Sequence, residues 1–266
     1  MIKTQTGFNT TWIAGTPRTG SMWTTNITRQ IFQVSGYNIF PDKQYQDDDD
    51  CIKSYTNRSL PETSSSNKYV YKVHKLLKLN LSRSKYIVNI RNPYEILTSF
   101  YHFMKCDLER AINIAKRHAM VIDYYSKMSQ ENLLKIRYED IELNSINIVK
   151  EIATFLLIDL SMENIELISD KFTKEKVQLS INKCDADLLK KIKETGKVNK
   201  NEVVIISPVN IRAFDVNTGF QTGHISNRSS SKWRDIFSKN EVKKIIDSID
   251  SVAVQLGYES EKNKEK

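Results

Sequence analysis

A loop bounded by two glycines and carrying a single cation, Gly15-Thr16-Pro17-Arg18-Thr19-Gly20-Ser21-Met22-Trp23, has the residue types needed to grip a phosphate. Gly15 and Gly20 are spaced like the glycines of the P-loop pattern G-x-x-x-x-G-K-[ST], after an apolar run and before a helix-forming stretch. Glycines there let backbone N–H groups close on phosphate oxygens, and the start of a helix adds a favourable dipole. The next two positions depart from that pattern. Ser21 replaces the lysine that reaches the β/γ-phosphates, and Met22 replaces the hydroxyl that holds Mg²⁺. A nucleotide triphosphatase lacking both is crippled, so the loop reads as a metal-free phosphate cradle with Arg18 as its cation. A guanidinium binds two oxygens at once, each charge-assisted bond contributing about 1.5–3 kcal/mol.

The elements that must position this loop follow from periodicity. Residues 10–14 read as a short buried strand running into the loop, and 22–34 carry Met22, Ile27, Ile31 and Val34 at a rough helical spacing. Further strands are predicted at 69–73, 86–90 and 133–137. Pro93 suits the first turn of a helix holding Ile96, Leu97, Phe100, Tyr101 and Phe103. Helices are also expected over 108–128, 145–157 and 245–256, with a possible extra strand at 203–206. Residues 41–67 show little periodicity and read as a loop or flap, and the pattern weakens again past Lys171. Alternating strands and helices indicate a single α/β domain over 1–266, a parallel β-sheet flanked by helices. Such sheets bind ligands beyond the carboxyl ends of their strands. The polar signals sit there: the first loop, then His74, Arg91 and Tyr138, one after each of the next three strands.

Composition bounds the partners. The 266 residues carry a net charge of +8, which reads either as solubility or as attraction of a polyanion, nucleic acid or a small anionic cofactor. No zinc-finger spacing, arginine-rich arm or aromatic RNA-binding signature occurs, so a small anion is preferred over nucleic acid. The three cysteines, Cys51, Cys106 and Cys184, form neither a disulfide framework nor a metal cluster. With no signal-peptide core and no apolar run of membrane-spanning length, the expected location is cytoplasmic, without a membrane partner.

Several segments together resemble the PAPS-dependent sulfotransferases. Thr16-Pro17-Arg18-Thr19-Gly20-Ser21-Met22-Trp23 is similar to that family's 5′-phosphosulfate loop, usually written T-Y-P-K-S-G-T-T-W. The segment 86–103 resembles its 3′-phosphate segment, with Arg91 and Ser99 matching the family's arginine and serine. Tyr138-Glu139-Asp140 is similar to its Y-E-D, and Trp233-Arg234-Asp235-Ile236-Phe237-Ser238 to its W-K-x-x-F-T. The resemblance implies a P-loop NTPase-like three-layer sandwich and 3′-phosphoadenosine 5′-phosphosulfate (PAPS) as co-substrate, with no metal. It further implies that Arg18, Thr19, Gly20, Ser21, Met22 and Trp23 hold the 5′-phosphate, with Trp23 also packing on adenine. Arg91 and Ser99 would hold the 3′-phosphate, Tyr138 would lie against the purine, and Asn227 or Arg228 would reach the 3′-phosphate. Arg18 stands where many members have lysine and is the more rigid cation.

Lys72-Val73-His74 resembles the family's K-T-H. His74 is therefore expected as the general base that takes the acceptor's proton, with Lys72 and Arg18 stabilising charge on the transferring group. His102 is expected to pack on a helix face, His118 to lie at the surface, and His224 to sit in a late loop within approach of the cofactor. A small-molecule acceptor, sulfated at a hydroxyl or an amine, is expected to meet 41–67 and 182–232, covering loops of variable sequence. Specialised metabolism is one setting for such chemistry. The run Asp47 to Asp50 reads as a solvated acidic loop, with recognition of a cationic acceptor as the alternative. A P-loop-like kinase and a non-catalytic phosphate-binding module are the rival readings. The family's dimer motif is not recognisable near Arg234 to Glu241, and oligomeric state stays open.

Overall fold

The computed structural model describes residues 8–57, 66–77, 84–207, 210–225 and 230–265. Five parallel strands form the central sheet in the order β2-β3-β1-β4-β5. These are β1 (Thr10–Ala14), β2 (Asn38–Phe40), β3 (Asn67–Val73), β4 (Ser84–Ile90) and β5 (Leu133–Arg137). Every residue of β1 and β4 is buried, as expected of inner strands covered on both faces. Side chains alternate between two cores. Ile13, Val70 and Ile87 join Ile27, Ile31 and Ile152 on one face, while Trp12, Tyr71, Tyr86 and Val88 join Ala119, Ile122 and Tyr125 on the other.

On the first face lie α1 (Ser21–Val34), α6 (Ser145–Phe155) and α7 (Met162–Lys171), which pack on one another. The opposite side carries α3 (Pro93–Met104), α4 (Leu108–Ser126) and α9 (Lys239–Gln255). A short α5 (Tyr138–Leu143) follows β5 directly. The parallel sheet, its strand-to-helix alternation and the helices on both faces all match the sequence expectation.

Two loop expectations need correction. The segment 41–67 is not simply a loop: it contains α2 (Asp48–Thr56), capped by the Asp47 side chain, which accepts from Asp49 N–H. Residues 182–195 are not loop either. They belong to α8 (Lys174–Thr195), a mostly exposed helix whose buried residues are Val177 and Ile181. The strand near 203–206 is real but lies outside the main sheet: β6 (Val203–Ser207) pairs antiparallel with β7 (Asn210–Ala213) as a separate hairpin. Helix α9 starts six residues before the expected 245, because Ser238 and Glu241 form a capping box. Among the described residues, no helix is long and apolar enough to cross a membrane.

Candidate active site

The carboxyl ends of β1, β3, β4 and β5 deliver the loop, His74, Arg91 and Tyr138 to one edge of the sheet. Because β1 lies between β3 and β4, its loop runs between His74 on one side and Arg91 on the other.

The loop is built for backbone donation. Gly20, at φ 86, precedes α1, and no side chain caps that helix or places an acid in its first turn. The first N–H groups of α1 are thus left for an outside acceptor. A Cβ on Gly20 would stand 2.9 Å from the Tyr138 ring, so the glycine is also where the ring seats itself. The side chains of the loop face elsewhere. Thr19 donates to the Thr16 carbonyl at 3.0 Å, Met22 packs over Gly219, and the Trp23 indole donates to the Phe172 carbonyl at 3.1 Å.

Arg18 occupies the left-handed region at φ 70. Its Nε donates to Ser99 Oγ at 2.9 Å, its Nη2 to the His224 carbonyl at 3.1 Å, and its guanidinium lies 4.2 Å from the Phe103 ring centre. Arg91 completes the link between the two segments by donating to the Arg18 carbonyl at 2.8 Å. Arg91 also stacks 3.8 Å from the Tyr138 ring centre and pairs with Glu95 at 3.1 Å. Burial, then the neighbouring Arg91, lower the Arg18 pKa to about 10, which leaves it charged at neutral pH.

His74 Nδ1–H donates to the Gly15 carbonyl at 2.9 Å, which fixes the tautomer and puts the lone pair on Nε2. That lone pair faces Lys72 Nζ at 3.1 Å. Burial, then the Lys72 charge, push the His74 pKa down to about 3, and burial lowers that of Lys72. Asp48 accepts from the His74 backbone N–H at 2.7 Å, while Asp49 pairs with Lys75 at 2.6 Å. The acidic run is therefore the start of a helix docked under His74, with these carboxylates engaged by the protein itself.

His118, expected at the surface, is fully buried. Its Nε2 accepts from the Arg91 backbone N–H at 3.2 Å, so Nδ1 carries the proton and donates to Thr16 Oγ1 at 2.8 Å. Only a neutral ring satisfies both, and burial lowers its pKa to about 3. One side chain on α4 thus ties the first loop to the second. His224 is locked as well: its Nδ1 accepts from Gln221 N–H at 3.2 Å, and its ring stacks on Phe103. His102 lies edge-on to Tyr101 on α3, in keeping with helix packing.

Glu139, of the Tyr138-Glu139-Asp140 segment, is a further support. It accepts from Asn92 N–H at 3.3 Å and from the Tyr258 hydroxyl at 3.1 Å. Trp233 stacks on Tyr94 at 4.7 Å and is part of a core cluster with Phe237. Asn227 and Arg228 lie outside the described residues. Among the described residues, no group of three or more His, Cys, Asp or Glu is placed to hold a metal ion.

The model of the sulfotransferase domain family matches residues 9–203. An amine sulfotransferase of Oryctolagus cuniculus is 26% identical over 185 residues, 61% of this chain. The match spans 60% of that relative's length. Among solved structures, a retinol dehydratase in complex with retinol and PAP superposes with a TM-score of 0.58 at 17% identity, covering 90% of this chain and 80% of that one. A mouse sulfotransferase complexed with PAP gives a TM-score of 0.55 at 14% identity, covering 94% and 87%. Both carry the same parallel α/β fold.

Proposed function

The chain belongs to the sulfotransferase domain family, and on that premise we propose that it transfers the sulfuryl group of PAPS to a small-molecule acceptor. The observation that carries this reading is the uncapped start of α1, set at one sheet edge beside Arg18 and Lys72. An unshared helix terminus next to half-buried cations fits an anionic group. The N–H groups of Ser21, Met22 and Trp23 would hold the 5′-phosphate. Arg91 and Ser99 would hold the 3′-phosphate, and Tyr138, held between Gly20 and Arg91, offers the purine a flat wall.

When bound, PAPS supplies an electrophilic sulfur, whose bond to the leaving phosphate oxygen breaks as the acceptor oxygen–sulfur bond forms. His74 Nε2 takes the acceptor proton, because its lone pair is the ring's free face once Lys72 turns to the anion. The Gly15 carbonyl keeps that ring in the required tautomer. Arg18 and Lys72 stabilise negative charge at the point of transfer. His118 and His224 do not compete for the role of base, since their acceptor nitrogens are committed to backbone N–H groups. The acceptor meets the chain from the side of α2 and the β6–β7 hairpin.

Calorimetry with 3′,5′-ADP in the absence of Mg²⁺ tests the binding reading. Binding is expected, and a preference for ATP with Mg²⁺ would favour a kinase instead. His74→Ala should keep the 3′,5′-ADP affinity and lose transfer of labelled sulfate by about 10²–10⁴-fold. Full transfer activity in that variant would remove His74 as the base.

A further inference from the structure

A buried cation remains that the proposed cofactor does not engage. Arg212, on β7, is 7% exposed. Its Nη2 donates to the Phe103 carbonyl, and its guanidinium lies 4.1 Å from the Phe103 ring centre. Its Nη1 is shielded from water and has no hydrogen-bond partner among the described residues. No carboxylate pairs with it there. Leaving a charged donor unsatisfied in the interior is costly. A partner of opposite charge, brought by a ligand, would offset that cost.

The position of Arg212 says which ligand. Arg18, the loop cation, lies 4.2 Å from the same Phe103 ring, and His224 stacks on it at 5.5 Å. Arg18 reaches Ser99 and Arg91 through hydrogen bonds, whereas Arg212 touches neither. Arg212 therefore stands about one aromatic ring away from the transfer point, on the hairpin side of the site. Resting on the reading above, we propose that the acceptor carries an anionic group, a carboxylate or a group with similar oxygens, and that Arg212 Nη1 recognises it while the hydroxyl faces His74. A guanidinium fork matches such oxygens. Of the acidic run, Asp47, Asp48 and Asp49 are already engaged by a helix start, a backbone N–H and Lys75.

Three phenols of similar size test this: 4-hydroxyphenylacetate, 4-ethylphenol and tyramine, which end in a carboxylate, a methyl and an ammonium group. With PAPS and the full chain, kcat/KM for 4-hydroxyphenylacetate should exceed that of the other two by about tenfold or more, the effect of one charge-assisted contact. Arg212→Gln should erase that preference and leave 3′,5′-ADP affinity unchanged. Arg212→Lys should restore part of it, and serves if the glutamine variant does not fold. Equal rates for all three, a preference for tyramine, or a preference that survives in Arg212→Gln would overturn the proposal. If none is turned over, thermal shifts of the 3′,5′-ADP complex decide. A larger shift with 4-hydroxyphenylacetate than with 4-ethylphenol supports it, and an equal or smaller one overturns it. Absence of 3′,5′-ADP binding would sink the sulfotransferase reading itself, whereas binding without charge preference sinks only this inference.

Discussion

Two helices begin at the same edge of the sheet, each the next element after an inner strand, and they begin in opposite ways. After β4, Asn92 caps α3 by accepting from Tyr94 N–H at 3.0 Å, Pro93 fills the first turn, and Glu95 adds a negative charge. After β1, α1 starts at a left-handed glycine with no capping side chain and no acid. The first terminus is satisfied by the protein and, in the proposed site, would contribute side chains, Arg91 and Ser99. The second is left open and contributes backbone. A helix start with glycine in place of a capping side chain gives up only about a few tenths of a kcal/mol of local stability. That loss is understandable where an outside anion takes the place of the cap.

The sharpest way to break this comparison is Gly20→Ala. The added Cβ meets Tyr138 at 2.9 Å and forces an L-residue to hold φ 86. We expect 3′,5′-ADP affinity to fall by about tenfold or more, with a loss of about 1–2 kcal/mol in stability from the left-handed backbone. Calorimetry and denaturant titration read the two effects separately. Unchanged affinity would mean that the open start of α1 is not the anion site.

His118→Leu comes next, since it orphans the Thr16 hydroxyl and the Arg91 N–H in the interior. Unfolding free energy should drop by about 1–3 kcal/mol or more. The pH dependence carries its own sign. The folded ring has its pKa lowered to about 3, below the ordinary value of 6.5, so the unfolded chain takes up protons first on acidification. The contribution of His118 is whole above about pH 6.5 and is lost progressively as pH falls toward 3. His74 acts in the same direction. Denaturant midpoints measured from pH 7.5 to 4.5 should fall steeply in the wild type and less steeply in His118→Gln.

The smallest effect sharpens the other half of the comparison. Asn92→Ala should cost about 1 kcal/mol of stability and leave 3′,5′-ADP affinity within error, because the Asn92 side chain caps only its own helix while Arg91 is held separately by Glu95 and the Arg18 carbonyl. A large loss of affinity there would show that both helix starts hold the ligand.

The sheet and its loops were legible because their signals are local. β1 and β4 are continuous buried runs, and the strand ends carry Gly15, His74, Arg91 and Tyr138 within a residue of the break. α8 was not legible, since so little of its surface is buried that Val177 and Ile181 set no visible period. β2 has three residues at an edge, too few for any pattern. His118 was misplaced because its partners lie 102 and 27 positions away. A signal was nevertheless present: it sits on the stripe of Ala111, Ala115, Ala119 and Ile122, where a polar ring must find partners. Arg212 offered no local cue, because its meaning depends on Phe103 from a distant helix.

The separation of the β6–β7 hairpin from the main sheet has a kinetic side. Amides of β1 and β4, paired on both edges within the five-stranded sheet, should exchange with solvent only when the whole domain unfolds. A two-stranded ribbon has little stability of its own, so the amides of β6 and β7 should exchange through small local openings. The proposed site is then bounded by a slow floor and a fast wall. Ligands would be held by the part of the molecule that does not breathe and would enter and leave past the part that does.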